Sequence, residues 1–146
     1  MPLEKSAGAI IFRKQKEPLF LLLLYPSAKT GRNPYWDFTK GHLEKGENET
    51  EALKREVKEE TGLEKIKLIP GFKETIRYFF VSEGQKIIKT VVFYLAEAES
   101  DKIEISSEHL DYKWLDYENA LNLLNFKNAK EILEKANLFL KRKPLF

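Results

Sequence analysis

Apolar residues fall in short blocks along this chain, and the period within each block assigns the elements. Ala7 to Phe12, AGAIIF, is apolar throughout and reads as a buried strand. A polar turn, Arg13 to Glu17, ends at Pro18. Leu19 to Tyr25 is a second apolar run, and its length between turn signals predicts a central strand. Pro26 to Pro34 is a loop of turn formers, and Tyr35-Trp36-Asp37-Phe38 leads from it to Gly41. The period then changes. Ala52, Leu53 and Val57 form a stripe at helical spacing; Asn48 with Glu51 makes a capping box, and Gly62 suits the left-handed position past the helix end. Ile66 to Ile69 reads as a short strand ended by Pro70-Gly71. Phe72 to Val81 and Lys86 to Ala96 predict a hairpin around Ser82-Glu83-Gly84-Gln85. Tyr112 to Leu115 is a short strand. Asp116 caps a short helix, Tyr117 to Leu124, and a longer helix runs from about Asn128 to Leu140, with Ile132, Leu133, Ala136 and Leu140 inward. Trp36 and Trp114 are assigned to the core.

Strands and helices thus interleave without strict βαβ alternation, which predicts an α/β fold, a mixed sheet with helices on both sides. The 146 residues fit one domain, 1–146, with a sizeable core. A net charge of +2 argues for neither a nucleic-acid nor a membrane partner. With no cysteine, disulfides and thiolate metal sites are excluded, in keeping with a cytoplasmic location. Met1 to Lys5 lacks a signal-peptide pattern, and the longest apolar run, Leu19 to Leu24, is too short to span a bilayer. The basic tail, Lys141-Arg142-Lys143-Pro144, is read as a solvated end. The sequence sets no oligomeric state.

The predicted helix after Asn48 carries the chemistry. Glu56, Glu59 and Glu60 stand at i, i+3 and i+4 and share one face. Three such carboxylates repel one another unless a cation sits among them. Oxygen-only ligands favour a hard ion, Mg²⁺ or Mn²⁺. Arg55 is placed to pair with Glu51 or Glu59. The bland alternative is a solvated face laced with ion pairs to Lys54 and Lys58.

The wider pattern goes further. Gly41, Glu47, Arg55, Glu56, Glu59, Glu60 and Gly62, with aliphatics at Val57 and Leu63, resemble the Nudix box at every defined position. The resemblance implies an α/β/α sandwich and water attack on a phosphorus of a nucleoside diphosphate derivative. It implies that Glu56 and Glu60 ligate Mg²⁺, that Glu59 binds a second ion or acts as base, and that the Lys40 carbonyl completes the ligand shell. Glu47 and Arg55 would support the loop and the helix, and Glu108 is a second candidate for ligand or base. Trp36 to His42, Gly71-Phe72-Lys73 with Tyr78, Lys89 to Glu97, Ser107-Glu108-His109, Trp114-Leu115 and Leu124-Asn125-Phe126 resemble the asymmetrical diadenosine tetraphosphate hydrolases. Thr39 departs from that group, which usually has proline there.

A dinucleoside polyphosphate needs cations along its length. Lys40 and Lys89 are the first candidates, with Lys86 and Arg77 behind. Lys89 is in phase with Val91 and Phe93. An adenine needs an aromatic platform, for which Tyr78 is the first choice and Phe126 the second. His42 and His109 are read as structural or exposed before phosphate-binding. The expected activity is Mg²⁺-dependent hydrolysis of diadenosine tetraphosphate to ATP and AMP. The alternatives are Nudix hydrolysis of RNA 5′ ends, nucleoside triphosphates or ADP-ribose, and, from another class, a nucleotide- or RNA-binding module without catalysis.

Overall fold

The computed structural model describes residues 3–26 and 33–142. The element order is β1 (Leu3–Arg13), β2 (Leu19–Tyr25), β3 (Tyr35–Asp37), β4 (Thr39–His42), α1 (Glu49–Thr61), β5 (Ile66–Ser82), β6 (Gln85–Ala98), β7 (Asp111–Leu115), α2 (Tyr117–Leu123) and α3 (Lys127–Arg142). Most of the loop assigned to 26–34 lies outside the described residues, as do the last two positions of the basic tail. Lys141 and Arg142 close α3 and are exposed. Among the described residues no helix is long and apolar enough to cross a membrane.

The strands form one mixed sheet in the order β3-β2-β1-β6-β5, with β4 added to β1 and β7 to β2. Alternation along each strand separates two cores. Ala7, Ala9 and Ile11 of β1, with Leu21 and Leu23 of β2, pack against Ala52, Leu53 and Val57 of α1. Ile10 and Phe12, with Phe20 and Leu22, face the other way, against Ala120 of α2 and Ile132, Leu133 and Ala136 of α3. The result is the α/β/α sandwich expected. Trp36 and Trp114 are only partly buried, one at the edge of each core.

One irregularity positions the site. β1 and β2 pair only at Phe12–Phe20 and Arg13–Leu19. Beyond that they part, and the gap is taken by residues 35–42. β3 pairs with β2 through Leu23 to Tyr25, whereas β4 pairs with β1 through Ser6 to Ala9. The single residue between them, Phe38, is fully buried. These strands have no sequence signature of their own, since each is three or four residues long.

Several predicted boundaries change: β1 already begins at Leu3, and β6 spans Gln85–Ala98. Ile66–Ile69 and Phe72–Val81 are one strand, not two, because a bulge between Leu68 and Lys73 absorbs Pro70-Gly71 with Gly71 at φ 93°. The last helix runs Lys127–Arg142, slightly longer than expected.

The start of α1 is anchored twice. Asn48 and Glu51 make the capping box, and Gly62 closes the far end at φ 77°. Glu49 then ties the helix to the sheet: Lys5 Nζ lies 2.6 Å from its carboxylate, Lys73 Nζ 3.1 Å, and Tyr94 donates a hydroxyl bond of 2.6 Å. The bonds from Lys5 first, then from Tyr94, depress the Glu49 carboxyl from 4.5 to about 2, against the opposing effect of burial. A depressed carboxyl stabilises the fold above its unfolded value, and that contribution disappears as pH falls through the folded value. Urea midpoints measured from about pH 5 down to about pH 2 should therefore fall more steeply for the wild type than for Glu49→Gln. A wild-type advantage constant across that range would contradict the clasp.

Candidate active site

The site is built on the alternation of β4. Thr39 pairs with Ala9 and Gly41 with Ala7, so both face α1; Lys40 and His42 face the opposite side of the sheet. Gly41 lies directly beneath Glu56, and a Cβ added there would collide with the Glu56 carboxyl group. Glycine there leaves the Glu56 carboxyl group room in this position. One turn on, Glu60 is buried; its Oε1 accepts from the Thr39 hydroxyl at 2.5 Å and from the Lys40 backbone N–H at 3.3 Å. Within an extended strand the N–H and C=O of one residue share an edge, so the Lys40 carbonyl points toward the same side.

Arg55 braces the other carboxylates. Its Nε donates to Glu47 Oε2 at 2.6 Å and its Nη2 to Glu47 Oε1 and the His42 carbonyl, both at 3.0 Å. Its Nη1 donates to Glu56 Oε1 at 2.7 Å and to Glu59 Oε2 at 3.2 Å. Of the two partners expected, Glu59 is the one engaged; the Glu51 side chain closes the capping box instead. The Glu47 bond, the largest cause, holds the Arg55 pKa above its usual value and lowers that of Glu47. Burial raises the Glu56 carboxyl, Arg55 opposes the rise, and the Glu60 charge adds to it.

The three glutamates do not converge on one point. Among the described residues no three His, Cys, Asp or Glu side chains converge as a metal cluster. Glu59 is 57% exposed and turned to Arg55, whereas Glu56 and Glu60 line one cleft of about 570 Å³ with Lys40, Arg55, Glu108 and His109. Arg55 engages Oε1 of Glu56 and does not reach Glu60. The donors are oxygen only, and burial beside a like charge disfavours the ionised form of Glu56. Both features fit a hard divalent cation held by Glu56 and Glu60, with the Lys40 carbonyl at the same edge.

The loop bearing Glu108 is docked on the end of α1 by two backbone bonds, Ser106 N–H to the Glu60 carbonyl at 3.2 Å and Glu104 N–H to that of Thr61 at 2.9 Å. Glu108 itself is exposed. His109 is buried, 2.9 Å from Ser106 Oγ through Nδ1 and 3.4 Å from Glu60 Oε2 through Nε2.

On the other face of β4 lies a second cleft, of about 350 Å³, lined among others by Tyr35, Asp37, Lys40, Tyr78, Phe93 and Phe126. Tyr35 and Lys40 belong to both clefts and join them. Tyr78 is exposed on β5, and Phe126 meets the edge of Tyr35 at 5.1 Å. Asp37 Oδ2 holds Lys40 Nζ at 2.5 Å; burial works against that ammonium, but Asp37 outweighs it and its pKa is raised. Lys89, opposite Tyr78 in the ladder, is buried and sends Nζ to within 3.3–3.4 Å of the His42 ring nitrogens. Burial lowers its pKa. The structure does not bring Lys86 and Arg77 to this cleft. Their register partners, Val81 and Thr90, place them on the α1 side of the hairpin, and Lys86 covers the Phe79 ring instead.

Sequence reasoning did not single out Tyr35, which stacks on Tyr25 at 5.1 Å, or Asp37. The signal was present: Tyr35, Asp37 and Lys40 crowd the short stretch before the box.

Known proteins are similar to this chain in sequence and in fold. The family described as NUDIX domain matches residues 2–136. A Mus musculus protein named bis(5′-nucleosyl)-tetraphosphatase (asymmetrical) is 36% identical over 96% of this chain and 97% of its own length. The binary complex of a C. elegans Ap4A hydrolase superposes with a TM-score of 0.81, at 31% identity, over 96% of this chain and 99% of that one. An RNA pyrophosphohydrolase of Nitratiruptor is 32% identical, over 68% of this chain and 72% of its own length. With the box residues assembled at the junction of α1 and β4, and with the match running almost from end to end, the chain belongs to the Nudix hydrolase family.

Proposed function

We propose that this protein is an asymmetrical diadenosine tetraphosphate hydrolase, dependent on Mg²⁺, with Mn²⁺ able to replace it. The observation that carries the reading is the junction of the two clefts at Tyr35 and Lys40. An acidic cleft meets an aromatic, cation-bearing one, as a base linked to a polyphosphate requires. The near full-length similarity to proteins of that name supports it. Nucleotide chemistry in a chain without cysteine is assigned to the cytoplasm.

Glu56 and Glu60 hold the divalent ion, which when bound supplies positive charge to the phosphate oxygens and the departing phosphate. In the reaction the water oxygen bonds to phosphorus and the bridging P–O bond breaks. The bond pair leaves on the bridging oxygen, and the water's proton passes to a carboxylate. Glu108 lines the acidic cleft while Glu59 turns out to Arg55, so Glu108 is the better placed proton acceptor. Arg55 and Glu47 keep the 42–47 loop against α1. Lys40 and Lys89 meet the polyphosphate, and Tyr78 and Phe126 flank the adenine.

Incubation with diadenosine tetraphosphate and Mg²⁺ should give ATP and AMP in equal amounts. Faster turnover of a nucleoside triphosphate or of 5′-triphosphorylated RNA would overturn the substrate. Glu60→Gln should lower kcat by roughly 10²- to 10³-fold with an unchanged circular dichroism spectrum; retained activity would refute its role. Tyr78→Ala should raise KM by roughly 5- to 150-fold, the equivalent of one lost base stack. Lys86→Ala should leave KM near the wild-type value. Equal effects of these two substitutions would contradict the placement of the substrate on the Tyr78 side of the hairpin.

A further inference from the structure

Glu60 is fixed in a different way from its neighbours. Arg55 braces Glu47, Glu56 and Glu59, yet no arginine or lysine side chain contacts Glu60 among the described residues. Its carboxylate is nevertheless buried, in a cleft wall made by β4 on one side and the 106–109 loop on the other. A buried carboxylate needs donors. Two come from β4, the Thr39 hydroxyl and the Lys40 N–H, and both go to Oε1. Oε2 takes neither of these bonds; His109 Nε2 lies 3.4 Å from it, a buried atom with no hydrogen-bond partner among the described residues.

We propose that the Thr39 hydroxyl is a positioning group for the divalent ion: by taking Oε1 of Glu60 it fixes the carboxylate and leaves Oε2 as the ligating oxygen. The inference rests on the assignment of Glu60 as a ligand. Three features of Thr39 support it. Its place on β4 turns the side chain toward α1, in register with Gly41, the position that admits Glu56. The residue is buried, so the hydroxyl has no water to turn to in place of Glu60. At 2.5 Å the bond has the length of a hydroxyl donating to a charged acceptor. A glutamate has three side-chain torsions, and freezing them before the ion arrives removes that entropic loss from binding. Partners that orient a metal's ligands in this way typically change affinity by 10- to 100-fold. A proline at position 39 would offer no such donor.

The test is Mn²⁺ affinity of the full chain, read from free Mn²⁺ by electron paramagnetic resonance, with no substrate present. Thr39→Val keeps the shape and removes the donor; it should raise the Mn²⁺ Kd by about 10-fold or more. Thr39→Ser restores the donor and should bind within about 2-fold of wild type. Glu60→Gln is the control for the underlying assignment and should also bind weakly. Wild-type affinity in Thr39→Val beside a weakened Glu60→Gln would overturn the role of Thr39 and leave the metal site standing. Equal weakening in Thr39→Val and Thr39→Ser would overturn it too, because the hydroxyl would then be irrelevant. Unchanged affinity in Glu60→Gln would remove the ligand assignment and the inference with it.

Discussion

The contact between α1 and β4 organises the site, with Glu60 Oε1 accepting from the Thr39 hydroxyl and the Lys40 amide. Gly41, having no Cβ, leaves room above the strand for the Glu56 carboxyl group beside this contact. The same approach lets Arg55 reach back to the His42 carbonyl and to Glu47. A larger residue at 41 would displace the Glu56 carboxyl group from this position.

That strand is also a partition. Its odd positions, Thr39 and Gly41, face α1, and its even positions, Lys40 and His42, face the other side of the sheet, where His42 meets Lys89. The Lys40 ammonium and the α1 carboxylates thus approach the strand from different sides. Each set is satisfied by its own partner: Asp37 for Lys40 on one side, Arg55 for Glu56 and Glu59 on the other. The split between β1 and β2 is what gives such a strand its place, since β4 fills the edge that β2 abandons.

What the sequence disclosed was mostly local. The capping box and the glycine after α1 depend on residues within one turn of each other, and both form as read. The apolar runs of β1 and β2 stood out because both faces of each strand are covered. β3 and β4 were not legible, because their pairing is with residues far along the chain and neither is long enough to show a period. Arg55 illustrates a different limit: Glu51 is a geometrically suitable partner, but the backbone at the helix start claims it first. Lys86 was within reach of better reasoning. The alternation that placed Lys89 with Val91 and Phe93 puts Lys86 on the other face, as the register shows. The acidic face was read as three carboxylates sharing one side of the helix; Arg55 draws Glu59 outward, while Glu56 and Glu60 line one cleft.

The central claim is that Glu56 and Glu60 share a divalent ion at the β4 edge. Anomalous scattering from crystals grown with Mn²⁺ locates the ion without reference to any activity. The account predicts a peak about 2.1 Å from an oxygen of each of these two glutamates, beside the Lys40 carbonyl. A peak elsewhere, or none in the cleft with Glu56 still paired to Arg55, would contradict it.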